Sequence, residues 1–150
     1  MIEIKLDLQP VPKGRPRATK TGRIYTPKTT AEYEASIAKM VSHHQALMGA
    51  LSLEATFILK RPVSTPKSRS SRFVKAGSRG DLDNYVKSLL DGLQRGGVVP
   101  NDAAVVEIKA SKVYAALGES PHIEVKLWSL GDMIELTLTP TEDDADKNSA

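Results

Sequence analysis

The stretch Gly77–Gly97, "GSRGDLDNYVKSLLDGLQRGG", sets the organisation of the chain. Leu82, Tyr85, Val86, Leu89, Leu90 and Leu93 recur at helical spacing, so one face of a helix is apolar and needs burial. The pattern stops at Gly96-Gly97, and glycine is the usual residue past a helix end. On either side the period changes to two. "LSLEATFILK" puts Leu51, Leu53, Ala55, Phe57 and Leu59 on one face of a strand. "VVPNDAAVVEIKASKVYA" reads as a turn at Pro100-Asn101 followed by a strand from about Ala104.

Working outward, "IEIKLDLQ" alternates Ile2, Ile4, Leu6 and Leu8 against polar neighbours and predicts a half-buried strand. Thr29 and Glu32 form a possible capping box. The helix it opens has an apolar side of Tyr33, Ile37, Met40, Val41, His44 and Leu47 and is expected to end near Gly49. "HIEVKLWS" and "DMIELTLTP" supply two more alternating strands, the first a candidate apolar sheet edge for a dimer interface. The order β, α, β, α, β, β, β predicts an α+β fold, a mixed, mostly antiparallel sheet with two main helices on one face. Residues 1–140 are expected to form this single domain, and the acidic tail 141–150 to be disordered.

Charge is unevenly distributed. The tail sets Glu142, Asp143, Asp144 and Asp146 against Lys147, a net −3, so residues 1–140 carry +6 where the whole chain carries +3. Lys13, Arg15, Arg17, Lys20, Arg23 and Lys28 follow one another with no acid between them. Lys60, Arg61, Lys67, Arg69, Arg72, Lys75 and Arg79 form a second acid-free run, and both runs are broken by proline into loops, the first a long loop or loose hairpin. Such clustering points to a polyanionic partner. With no cysteine, disulfides, thiolate metal sites and cysteine nucleophiles are excluded. No run approaches the ~20 apolar residues of a membrane span. The N-terminus has no signal-peptide pattern, so a cytoplasmic protein without a membrane partner is expected.

Against this basic background two carboxylates stand out. Backbone before a helix is extended, so Asp81 and Asp83 project to the same side. The plain reading is that Asp83 caps the helix and Asp81 is a solvated acid. Asp102 lies at the entrance to the next strand, and the spacing permits it to approach the helix start if the chain reverses favourably. Lys87 is four residues after Asp83 and four before Asp91, so the three share a polar stripe. For Asp91 a structural pairing is the expectation, such pairs contributing ~0.2–0.5 kcal/mol. His43, His44 and His122 have no ligand partners at useful spacing, and the serines of "VSTPKSRSSRF" have no histidine base.

Asp81-Leu82-Asp83-Asn84, Lys87, Asp91 with Leu93, then Asn101-Asp102 and Val105-Val106-Glu107 together resemble the RusA family of Holliday-junction resolvases. "PVPKGRPRATKTGRIYTP" is also similar to the basic N-terminal loop of bacterial and phage members. The resemblance is strongest over residues 79–110, while the serine-rich loop 61–80 and the extension after "HIEVKLWS" depart from it. It implies a homodimeric DNA endonuclease that resolves four-way junctions, with Mg²⁺ as cofactor and Mn²⁺ as a plausible substitute. It implies Asp81, Asp83 and Asp102 as metal ligands and Lys87 as the basic catalytic residue, with Asn84 and Glu107 in a second tier. Lys13, Arg15, Arg17, Lys20, Arg23, Lys67, Arg69, Arg72, Lys75 and Arg79 are then the expected DNA contacts.

The chemistry fits the residue types. Mg²⁺ prefers a few hard carboxylate oxygens together with waters and phosphate oxygens. A carboxylate cluster alone would repel DNA, so basic loops beside it are needed. Two other classes compete with this reading. One is a DNA-binding module whose aspartates only cap and solubilise. The other is an Asp-x-Asp sugar-nucleotide transferase, disfavoured because no nucleotide-binding βαβ pattern is visible.

Overall fold

In the computed structural model, residues 1–14, 17–25 and 28–131 are described, without the side chains of Arg17, Ala18, Ile24 and Tyr25. The first strand is β1 (Ile2–Leu6), followed by the two-residue strands β2 (Arg17–Ala18) and β3 (Ile24–Tyr25). Helix α1 (Lys28–Val41), strand β4 (Ala50–Leu59) and helix α2 (Leu82–Arg95) come next. A 3-10 turn at Asp102–Ala104 leads into β5 (Val105–Tyr114), and β6 (His122–Gly131) follows. The main sheet has the order β1-β6-β4-β5. β6 is antiparallel to both its neighbours, and β4 and β5 are parallel. This is the expected α+β architecture. The expected strand "DMIELTLTP", the tail 141–150 and Arg15 lie outside the described residues.

One face of the sheet carries the alternating apolar residues. Leu51, Leu53, Ala55 and Phe57 of β4 and Ile123, Val125 and Leu127 of β6 are buried with Leu6 against Tyr33, Ile37 and Val41 of α1 and Tyr85, Leu89 and Leu93 of α2. Full burial of each Leu, Ile or Phe contributes about 1.5–3 kcal/mol. The two helices run in the same direction. A side chain at Gly92 would meet Ile37, and one at Gly96 would meet Val41, so the contact advances one turn on both helices together. Both glycines are close-approach points: an added Cβ would lie 2.8 Å from Cβ of Ile37 at Gly92 and 2.5 Å from Val41 at Gly96.

Three sequence expectations change. Helix α1 stops at Val41 instead of continuing to Gly49. Ser42 Oγ donates to the Lys39 carbonyl at 3.0 Å, and the chain leaves the helix there. Leu47 still packs on the core, with its amide bonded to the Val98 carbonyl at 3.1 Å, but it does so from a non-helical segment. "HIEVKLWS" is not a free sheet edge, because β6 lies between β1 and β4. Among the described strands the edges are β1 and β5. Finally, β4–α2–β5 is a βαβ crossover between parallel strands. Periodicity did not reveal it, because residues 60–81 between strand and helix are a long basic loop instead of a short glycine-rich turn.

That loop is tied back to the sheet. Phe73 forms an antiparallel bridge with Tyr114 at the end of β5, and their rings stack at 5.1 Å. Arg61 donates to the carbonyls of Ala115, Pro66 and Arg69. Arg72 is fixed by Glu119 at 2.6 Å and Glu124 at 2.9 Å. Its hydrogen bonds hold the Glu119 carboxyl down at about 2 and the Glu124 carboxyl below its usual range.

Two outcomes test this packing. Gly92→Ala should lower the urea midpoint even though alanine is favoured over glycine by about 1 kcal/mol in helices. Overpacking at a fixed Cβ costs about 1–3 kcal/mol, and a raised midpoint would contradict the close helix contact. The second concerns acid. A carboxylate with a depressed folded pKa adds stability above its unfolded value and loses it as pH falls toward the folded one. Stability should therefore fall less steeply between pH 4.5 and 2 in Glu119→Gln than in the wild type. The difference should be modest, because the pair is partly exposed. Identical acid profiles would mean that the Arg72–Glu119 pair does not hold in solution.

Candidate active site

The two acidic residues at the start of α2 owe their placement to the loop before them. Lys112 of β5 donates to the Ser78 carbonyl at 2.9 Å and to the Gly80 carbonyl. The Tyr85 hydroxyl donates to the Arg79 carbonyl at 2.7 Å. Gly80 has φ +82, and a Cβ there would lie 2.7 Å from the Tyr85 ring, so glycine is required both for backbone and for space. Lys112, Tyr85 and Gly80 thus fix the entry into α2. Sequence reasoning passed over all three as site residues. Gly80 directly before Asp81 was the one local signal, since the contacts of Lys112 depend on tertiary proximity.

The N-cap is Asp81, not Asp83. Asp81 has extended backbone (φ −83, ψ 139), and its carbonyl accepts from the amides of Asn84 and Tyr85. Its side chain makes no capping hydrogen bond. Asp83 sits in the first turn, beside an open groove of Leu82, Val86, Ile108 and Ala110. Both residues are exposed. Among the described residues neither carboxylate makes a hydrogen bond or ion pair. The positive helix end favours them by about 0.3–1 kcal/mol each.

The chain does reverse after α2, but the contact this gives Asp102 is with Lys87 in the middle of the helix and not with Asp81 or Asp83 at its start. After α2 the chain turns at Gly97, buries Val98 and Val99, and reaches Asn101, whose side chain accepts from the Ala103 amide at 2.6 Å. This sets Asp102 against the middle of α2, where Lys87 Nζ donates to Asp102 Oδ2 at 3.1 Å. Lys87 also reaches Asp91 Oδ1 at 3.4 Å but does not pair with Asp83. The hydrogen bond to Asp102, with help from Asp91, raises the Lys87 pKa above its ordinary value and keeps the ammonium charged. Among the described residues no three carboxylate or imidazole groups converge closely enough to hold a metal ion.

Asp91 is a structural partner. Its other oxygen takes Lys13 Nζ at 2.9 Å, and Lys13 in turn reaches Glu34 Oε1 of α1 at 2.6 Å. Burial opposes the charge on Lys13, and the hydrogen bonds to Glu34 and Asp91 outweigh it, so its pKa is raised. The Asn84 carbonyl accepts from the Lys13 amide at 2.9 Å. Glu107 lies elsewhere. It accepts from the buried Ser52 hydroxyl at 2.6 Å, while its neighbour Ile108 lines the groove with Asp83. Successive strand residues face opposite ways, so Glu107 is on the far side of the sheet from Asp83.

The cations divide in two. Lys13 and Arg72 are committed to carboxylates. Lys20 and Arg23 are exposed at the β2–β3 hairpin, and Lys67, Arg69, Lys75 and Arg79 are exposed on the long loop, with Arg69 stacked 5.1 Å over Phe73. Arg17 is placed by its backbone in β2. His122 is buried, bonded to the Ser120 carbonyl at 2.9 Å, and takes no part in this site. No helix among the described residues is long and apolar enough to cross a membrane.

Compared with known families, residues 7–128 match the one described as Endodeoxyribonuclease RusA. No curated protein gives a match. The matched span takes in the α2 aspartates, Lys87, Asp102 and both basic loops. Family membership implies nuclease activity of the Holliday-junction-resolvase kind, which suits exposed carboxylates set between cationic loops. The chain belongs to the RusA endodeoxyribonuclease family.

Proposed function

We propose that the protein is a Mg²⁺-dependent endonuclease that resolves four-way DNA junctions by paired nicks. The observation that carries this is the state of Asp81 and Asp83. A capping role predicts an aspartate whose side chain bonds the helix amides, yet the Asp81 carboxylate makes no such bond. Both carboxylates stand exposed on an entry fixed by Lys112 and Tyr85, with Lys87 further along α2 and Asp102 facing it from the turn before β5.

The donor set suits a hard divalent ion. Mg²⁺ is commonly held by one or two carboxylates plus waters and substrate phosphates, so a preformed cage of three is not required. Asp81 and Asp83 would hold it, and Asp102, which is bonded to Lys87 and does not converge with them, would join only by leaving that contact; Mn²⁺ suits the same oxygens. When bound, the ion supplies Lewis-acid polarisation of the phosphate and lowers the pKa of its water. The chain's own residues do the rest. Lys87, one turn from Asp83 and fully charged, neutralises charge developing on the phosphate or on the leaving oxygen. Lys20, Arg23, Lys67, Arg69, Lys75 and Arg79, with Arg15 and Arg17, hold the DNA arms by their phosphates. Lys13 and Arg72 instead hold the protein together. Glu107 supports the sheet away from the reacting phosphate, whereas Asn84, next to Asp83, keeps its second-tier place beside the site.

Resolution needs nicks in two opposed strands, and one chain offers one acidic centre. A C2 homodimer would present two such centres with the symmetry of the junction.

Asp81→Asn, Asp83→Asn and Asp102→Asn are each expected to abolish Mg²⁺-dependent nicking of a labelled junction while keeping or tightening binding. Mixed dimers of wild-type and Asp83→Asn chains should leave junctions nicked once. Wild-type rates in all three variants would overturn the assignment, and junction binding with no cleavage at any Mg²⁺ concentration would favour the non-catalytic DNA-binding module. Salt gives a separate check. Each phosphate contact contributes about −0.9 to the log–log dependence of affinity on salt. Neutralising Lys67 and Lys75 together should flatten that slope, whereas Arg72→Gln should leave it nearly unchanged. The reverse pattern would mean that DNA follows another path.

A further inference from the structure

We infer that Asp91, backed by Lys13 and Glu34, is a positioning residue that holds the Lys87 ammonium in place for the reaction. This rests on the proposed role of Lys87 at the phosphate. The observation behind it is a line of alternating charges drawn from four separate parts of the chain. Glu34 of α1, Lys13 of the segment after β1, Asp91 and Lys87 of α2, and Asp102 of the turn before β5 are joined by contacts of 2.6, 2.9, 3.4 and 3.1 Å.

The line has a closed end and an open end. Side chains of Glu34, Asp91 and Lys13 are 12%, 21% and 22% exposed, whereas Asp102 and Lys87 are 44% and 51% exposed. The three inner groups carry two negative charges and one positive. Their surplus negative charge is directed at Lys87, among the described residues the one exposed cation touching them. Stability alone explains this poorly. An isolated pair at this spacing contributes little, and an acid placed C-terminal to its lysine is the weaker order. Lysine has a flexible four-carbon stem and large rotamer entropy, so an untethered Lys87 would spread over many positions. Its second partner, Asp102, is a proposed metal ligand and is needed elsewhere during the reaction. Asp91 is the partner that stays, because Lys13 and Glu34 lock its carboxylate from behind. The inner triad is thus a fixed tether, and Lys87 can exchange Asp102 for a phosphate oxygen without leaving the site.

The test is a double-mutant cycle on the full-length protein with Mg²⁺ and labelled four-way junction, read as single-turnover rate, junction Kd and urea midpoint. Asp91→Asn is expected to slow cleavage about tenfold or more with Kd within about twofold of the wild type. Lys87→Ala should slow it at least as much, and the double variant should be no slower than Lys87→Ala alone. Asp91→Glu keeps the charge and displaces it by one methylene; its rate should fall between those of wild type and Asp91→Asn. Should Asp91→Asn fail to fold, Asp91→Glu carries the same cycle with Lys87→Ala. A silent Lys87→Ala would overturn the role of Lys87 and the tether with it. A slow Lys87→Ala alongside a silent Asp91 variant would overturn the tether alone. So would losses that multiply in the double variant, since a residue acting only through fold stability would slow cleavage whether or not Lys87 is present.

Discussion

Parallel pairing of β4 with β5 dictates the rest of the molecule. Two parallel neighbours cannot be joined by a tight turn, so the chain must travel back along the sheet before β5 begins. Helix α2 is that return path, and its buried stripe of Tyr85, Leu89 and Leu93 binds it to the sheet face. The helix therefore begins at the C-terminal ends of β4 and β5, where Lys112 can grip the carbonyls ahead of Asp81. It also follows that the chain must reverse after α2 to start β5, which carries Asp102 back to Lys87. The candidate site is thus a consequence of how one crossover closes.

Electrostatics then divides the labour. A cation-rich chain that handles DNA has to keep some of its positive charge for itself, or the basic loops would repel one another. Arg72 is spent on Glu119 and Glu124, Arg61 on backbone carbonyls of its own loop, and Lys13 on Glu34 and Asp91. Each of these attaches a loop to the framework. Exposed lysines and arginines on the same loops, such as Lys67 and Lys75, are left facing solvent. On the acidic side the split runs the other way: Asp91 is committed to lysines, whereas the Asp81 and Asp83 carboxylates make no hydrogen bond or ion pair among the described residues.

Sequence by itself determined the main elements and the family. Period-two alternation in "LSLEATFILK" and "HIEVKLWS" and helical spacing from Leu82 to Leu93 are local patterns, legible because burial on one face imposes them residue by residue. The Asp81-Leu82-Asp83-Asn84 signature with Lys87 and Asp102 was equally readable, and it led to the family that residues 7–128 match. Tertiary structure alone decided which strands pair, that α1 ends at Val41 while Leu47 still reaches the core, and that β6 is interior. It also decided that Asp81 and not Asp83 is the N-cap, that Glu107 and Asp83 lie on opposite sides of the sheet, and that Lys13 is paired with Asp91 and Glu34. The physical reason is common to all of these. A period reports only whether a side chain is buried, whereas a hydrogen bond or ion pair needs a partner at about 3 Å, and for Lys13, Lys112 and Glu107 that partner comes from a distant part of the chain.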